Sequence, residues 1–211
     1  MPDISEYIKL LAGLLAIVDP IGTIPIYLGM TRHNTLDERR QIALTASISF
    51  AIILIVSLFL GEQLLEAFGI GIPSFRTAGG VLIFTMGLSM LQAHESGAKQ
   101  TEEERAESVV KESVAVVPLA IPLLAGPGAI STVIVYAHSD NSWLHYGLMS
   151  SVILTVAILI FIALRIAPLI GARLGKTGMN IVTRIMGLIT LAIAIEFIAA
   201  GLTALFPGLA R

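Results

Sequence analysis

Long apolar windows alternate with short charged stretches along this chain. Between Lys9 and Arg32 the only charge is Asp19. Gln41 to Gly61, Thr77 to His94, Ser113 to Ser139 and Asn141 to Leu164 carry none, and between Arg184 and Arg211 the only charge is Glu196. Each window is long enough for the ~20 residues a helix needs to cross a bilayer. The pattern predicts helices over 5–30, 38–61, 74–93, 112–138, 144–170 and 179–206. The expected fold is therefore an all-α integral membrane protein with six transmembrane helices.

Composition agrees with that reading. Hydrophobic residues make up 55% of the 211 residues and charged residues 13%, about half the usual share for a soluble domain. The mean hydropathy is +0.88. The longest polar stretch, Glu95 to Glu112, is too short for a core of its own. There is no cysteine, so no disulfide, cysteine-based metal site or thiol chemistry is expected. A net charge of −2 offers no basic patch for nucleic acid. Met1 to Lys9 lacks a basic leader, so the first window reads as a retained helix rather than a cleaved signal. Ten of the 13 Lys and Arg residues fall in the loops after helices 1, 3 and 5 and their flanks. The positive-inside rule then places those loops in the cytoplasm and both termini outside.

The polar stretch divides the chain near its middle, and the halves share features. Pro20 and Pro127, Gly22 and Gly128, and Arg76-x-x-Gly79 and Arg184-x-x-Gly187 recur at nearly one offset. Three helices per half would turn the second half over relative to the first. The expected organisation is one membrane domain over 1–211: repeat one 1–94, a cytoplasmic linker 95–111 and repeat two 112–211. Inverted repeats are a frequent design of secondary transporters, with the site at mid-membrane between the halves.

Two segments carry the candidate chemistry. Helix 1 contains Asp19-Pro20-Ile21-Gly22-Thr23-Ile24-Pro25, and helix 4 contains Pro118, Pro122 and Gly126-Pro127-Gly128. Proline removes a backbone donor and clashes with the preceding turn, so both helices are expected to break. In a bilayer, broken backbone persists only where protein or a water-filled cavity satisfies it. The expected substrate site is Asp19, Pro20, Gly22 and Thr23 facing Gly126, Pro127, Gly128 and Ser131, with Glu196 as a second intramembrane carboxylate. Arg76 and Arg184 begin helices 3 and 6 and are candidates to support the breaks, or else snorkel to the interface. His138, His145 and Asp140 do not add up to a metal site, and no metal or cofactor is expected. There is no Gly-x-x-x-x-Gly-Lys-[Ser/Thr], His-Glu-x-x-His or Gly-x-Ser-x-Gly, so neither ATP drive nor an enzyme is indicated.

Three stretches resemble the MarC family of bacterial and archaeal inner-membrane proteins: Ile17 to Pro25, Val117 to Ser131, and Thr183 to Leu188 followed by Ile195 to Ile198. The similarity runs over essentially the whole chain. The resemblance implies a six-helix transporter of small neutral amino acids, with glycine and alanine as substrates, a proton gradient as drive and the cytoplasmic membrane as location. The family pattern also takes Asn at the position of Asp19 and Gln at that of Glu196, which favours hydrogen bonding over proton relay for both. The rival readings are an exporter of other small solutes or drugs, a non-transporting membrane scaffold or regulator, and a membrane-embedded enzyme.

Overall fold

The computed structural model describes residues 4–31, 34–92, 124–140 and 142–210. All regular structure among them is helical: α1 Ile4–Val18, α2 Ile24–Met30, α3 Leu36–Ala67, α4 Ile72–Leu91, α5 Pro127–Ala137, α6 Trp143–Arg165 and α7 Ala167–Leu205, then a short 3₁₀ turn Pro207–Ala210. The expected linker 95–111, and the first part of the expected fourth helix with Pro118 and Pro122, lie outside the described residues.

Local chemistry sets the boundaries. Thr35 caps α3: its hydroxyl accepts from the Glu38 N–H at 3.3 Å, and the Glu38 carboxylate accepts from the Thr35 N–H at 2.8 Å, a reciprocal capping box. At the other end Gly69, with φ 68°, takes the left-handed turn. The Gly69 and Ile70 N–H groups then close on the Glu66 and Leu65 carbonyls, both at 2.9 Å. The helix runs past the expected stop at Gly61 because Gln63 to Ala67 are good helix formers. The reverse happens near 166. The expected helix 144–170 stops at Arg165, and Pro168 sits in the first turn of α7, where its missing N–H costs nothing. Gly175, at φ 59° and ψ −176°, then kinks α7 before its apolar span Thr177–Leu205.

Among the described residues four helices are long and apolar enough to cross a membrane: α3, α4, α6 and the Thr177–Leu205 part of α7. The difference from the expected six has two sources. The first expected span is divided into α1 and α2, and only the Pro127–Ala137 part of the fourth is a described helix. At 1.5 Å per residue, the 15 residues of α1 cover about 22 Å and the 11 of α5 about 17 Å, short of a ~30 Å hydrocarbon core.

The long helices form two antiparallel pairs. Gly80 lies against Ala194 and Ile198, Gly87 against Gly187 and Leu191, and Gly201 against Pro73 and Thr77. A rising number on α4 meets a falling number on α7. A Cβ added at Gly87 would stand 3.0 Å from the Leu191 nitrogen and 3.1 Å from the Gly187 oxygen, so these backbones touch directly. That is how helices associate where no hydrophobic effect drives them together. In the second pair, Phe59 near the end of α3 stacks on Tyr146 near the start of α6 at 5.4 Å. At the opposite end Leu36, Arg39 and Arg40 share a cleft with Leu164 and Arg165. The short helices fill the interior. Eight of the 11 residues of α5 are buried, as are Leu10, Leu14 and Ile17 of α1. The long helices expose Ile48, Ile52, Val56, Leu154, Ile158, Ile185 and Leu188 instead. An apolar exterior around a buried short-helix centre suits a lipid surround.

Candidate functional site

The break between α1 and α2 is built by proline chemistry and closed by α7. In an unbroken helix the Ala16 carbonyl would accept from the N–H four residues on, but that residue is Pro20 and has none. The Thr190 hydroxyl of α7 supplies the missing donor at 3.1 Å, fully buried. The Ile21 carbonyl meets the same problem at Pro25, and the Ile24 N–H takes it at 3.1 Å through a tighter turn. Asp19 sits at φ 41°, the one positive φ among the described non-glycine residues. Its carboxylate accepts from the Gly22 N–H at 3.0 Å. Its carbonyl accepts both the Thr23 N–H and the Thr23 hydroxyl at 3.1 Å. Thr183 of α7 approaches the same carboxylate, and a side chain at Gly22 would run into Asp19 and Thr183. Asp19 and Thr23 are buried. Asp19, Pro20, Gly22 and Thr23 thus form one compact turn against α7.

The second expected break is the start of α5. Gly126 is the N-cap in extended conformation and makes no side-chain cap, Pro127 opens the helix, and the Ile130 N–H returns to the Gly126 carbonyl at 3.1 Å. Gly128 lies at the depth of the first break: a Cβ there would be 3.3 Å from Ile17 of α1 and 3.1 Å from both Ile83 and Met86 of α4. The room that the sequence assigns to a substrate at Gly128 is therefore filled by three apolar side chains. Ser131 follows one turn later on α5. It is buried, packs on the bare backbone of Gly79, and its hydroxyl has no hydrogen-bond partner among the described residues.

The remaining candidates lie elsewhere. Glu196 is exposed on α7, thirteen residues beyond Thr183 and roughly 20 Å along the axis, so it does not share the Asp19 turn. It lies instead within electrostatic reach of Tyr136, as do Arg76 and Glu6. Arg76 stands over the Phe197 ring at 5.3 Å, and its Nε is buried without a hydrogen-bond partner among the described residues. Arg184 is exposed on α7. The structure therefore gives the two arginines of the recurring Arg-x-x-Gly pattern different surroundings.

Thr183 and Thr190 do not stand out in the sequence, yet they hold the break. Their seven-residue spacing puts both on one face of α7, a signal that could have found them. The hydroxyls of Thr85 and Ser89 bond within α4, to Leu82 and Thr85. No group of three or more potential metal ligands occurs among the described residues. His138 pairs with Glu62 at 2.6 Å, and His145 bonds Tyr7 at 2.7 Å and the Tyr136 carbonyl at 3.0 Å. Asp140, in the turn before α6, is held below the usual carboxylate range by the Ser142 N–H and hydroxyl. At the Arg39 end, a cleft of about 220 Å³ is lined by Tyr27, Asp37, Arg39, Arg40 and Arg165.

A membrane protein with apolar antiparallel helix pairs around a buried, proline-broken helix is the class these features define. The family model for MarC family integral membrane proteins matches residues 4–206, and the chain belongs to that family. It is 45% identical over 208 residues to the UPF0056 membrane protein YhcE of Escherichia coli (strain K12), covering 98% of this chain and 96% of that one. It is 37% identical to the UPF0056 membrane protein YvbG of Bacillus subtilis (strain 168), covering 96% and 97%. An archaeal relative, the UPF0056 membrane protein PYRAB13050 of Pyrococcus abyssi, is 36% identical over 203 residues, covering 96% and 97%. No solved structure matches the chain.

Proposed function

We propose that this chain is a proton-coupled secondary transporter of small neutral amino acids of the glycine and alanine type. It works by alternating access between two inverted three-helix repeats in the cytoplasmic membrane, with both termini outside. The observation that carries the reading is the buried break at Asp19–Thr23. Interrupting a helix inside an apolar interior leaves backbone groups that cost several kcal/mol each when unmet. Here two threonines of another helix are placed against the break. A structural span needs no such feature, whereas a transporter uses freed amides and carbonyls to bind a zwitterion.

The helix arrangement supports the same reading. The pairs α3 with α6 and α4 with α7 are antiparallel, as members related by an in-plane axis would be. Six crossings follow if α1 with α2 makes one and the segment ending in α5 makes another. Ile17, Ile83 and Met86 between the two breaks would then form the barrier that opens toward one side at a time.

Alanine counterflow in proteoliposomes tests the proposal. Preloaded unlabelled alanine should drive uptake of labelled alanine, and an imposed pH gradient should drive net accumulation. Flat counterflow for both alanine and glycine, with a monodisperse protein in the bilayer, would refute it. Labelling of a cysteine placed at Gln100 from outside intact cells would overturn the orientation.

A further inference from the structure

Partly buried Arg76 of α4 and buried Ser131 of α5 are polar groups of neighbouring helices that the helix break does not use. The Ser131 hydroxyl and the Arg76 Nε are the two buried side-chain polar atoms without a hydrogen-bond partner among the described residues. Gly79 of α4 links them. Ser131 of α5 packs directly on Gly79 of α4, and Arg76 is three residues before Gly79, on the same face of that helix. The guanidinium stands over the Phe197 ring, its Cζ 5.3 Å from the centroid. That contact leaves the Nε–H without a hydrogen-bond partner among the described residues. Among the described residues no carboxylate lies within ion-pair distance of Arg76. Glu196 and Glu6 are near only in the sense that they share electrostatic reach of Tyr136 with Arg76.

A cation with an unpaired Nε–H, about one helical turn from an unused hydroxyl in a largely apolar interior, calls for an anion with two acceptor oxygens. A carboxylate accepts from Arg in the fork geometry and takes a further hydrogen bond from Ser. Ser131 is three residues from Gly128, so the pair lies about one turn along α5 from the level of the helix break, on the side of Tyr136.

We propose that Arg76 and Ser131 form a carboxylate-binding subsite distinct from the Asp19 turn, the first station of a carboxylate-bearing solute on its way to the break. As a station in transport the inference rests on the transporter reading, but as a binding site it does not. Phe197 holds the cation in place, and Gly79 admits Ser131 because it has no side chain.

The test uses the full-length protein in detergent micelles and calorimetric titration with three probes: L-alanine, propionate and ethylamine. Alanine and propionate should bind, and ethylamine, which lacks the carboxylate, should not. Arg76→Gln should weaken propionate roughly tenfold or more, the loss of one charge-assisted pair. Arg76→Lys should recover part of that loss. Ser131→Ala, which only removes an atom from a crowded contact, should fold normally and weaken propionate several-fold. Unchanged propionate affinity in folded Ser131→Ala and Arg76→Gln overturns the subsite, as does a wild-type protein that binds ethylamine as well as propionate or binds no carboxylate. Counterflow separates the two ideas. Arg76-dependent propionate binding without alanine counterflow removes the transporter and keeps the subsite. Normal counterflow in Arg76→Gln removes the station in transport and keeps the transporter, and the binding site then stands or falls on the propionate titration.

Discussion

Thr190→Val is the sharpest test of how the broken helix is held. Valine has nearly the shape of threonine and lacks only the hydroxyl, so packing between α7 and α1 is conserved. What is lost is the 3.1 Å hydrogen bond to the Ala16 carbonyl. That carbonyl has no backbone alternative, because the residue four places on is Pro20. Interhelical hydrogen bonds in membrane proteins average only ~0.6 kcal/mol and reach ~1.7, since a partner lost is often replaced. A buried acceptor with no substitute donor belongs at the upper end, and an unmet buried group costs about 1–3 kcal/mol. The expected loss of unfolding free energy is therefore about 1–2 kcal/mol. The companion variant is Pro20→Ala, which restores an N–H four residues after Ala16. Reversible unfolding in mixed micelles, measured for the wild type, both single variants and the double variant, gives the coupling. The Thr190→Val loss should shrink by half or more when alanine stands at 20. A Thr190→Val protein as stable as wild type, or a double variant whose loss is the plain sum, would refute the account.

Three further outcomes follow from other contacts. Asp19→Asn should fold normally, because Asn tolerates the left-handed region and its amide oxygen can still accept from the Gly22 N–H, whereas Asp19→Leu should lose about 2–3 kcal/mol through strain and the lost bond; the same unfolding assay decides. Gly87→Ala and Gly187→Ala should each cost about 1–3 kcal/mol in that unfolding assay, because the new methyl meets backbone of the facing helix, and unchanged stability in both would refute the direct contact of α4 with α7. Asp140 titrates lower in the folded protein than when unfolded, so its contribution is present above the ordinary carboxylate pKa and fades as pH falls through the depressed folded value. Protease cleavage in the turn before α6 should therefore rise at pH below the usual carboxylate range, and Asp140→Asn should show the faster cleavage at neutral pH with no such rise.

The sequence determined the elements whose cause is local. Apolar windows bounded by charge made the long helices, because in lipid a single segment satisfies its own backbone only as a helix. The run from Asp19 to Pro25 made the break, because proline has no N–H to continue the ladder and Asp accepts the left-handed turn. The boundaries at Thr35, Gly69 and Pro168 are likewise set by side chains within a few residues. What only the tertiary structure decided is which distant groups meet. That Thr190 answers the carbonyl freed by Pro20 depends on α7 lying against α1. That Gly128 is filled by Ile17, Ile83 and Met86 depends on how deeply α5 sits between α1 and α4. Glu196 and Asp19 both interrupt apolar windows, but α7 carries one roughly 20 Å beyond the other, so two carboxylates alike in sequence do not share a site. Arg76 and Arg184 share a sequence motif, yet one is turned onto Phe197 and the other lies exposed. Local sequence fixes whether a helix forms, breaks or caps. The rotation and depth of each helix depend on small residues such as Gly79, Gly80, Gly87 and Gly187 matching a partner surface far along the chain, and no short window contains both halves of that match.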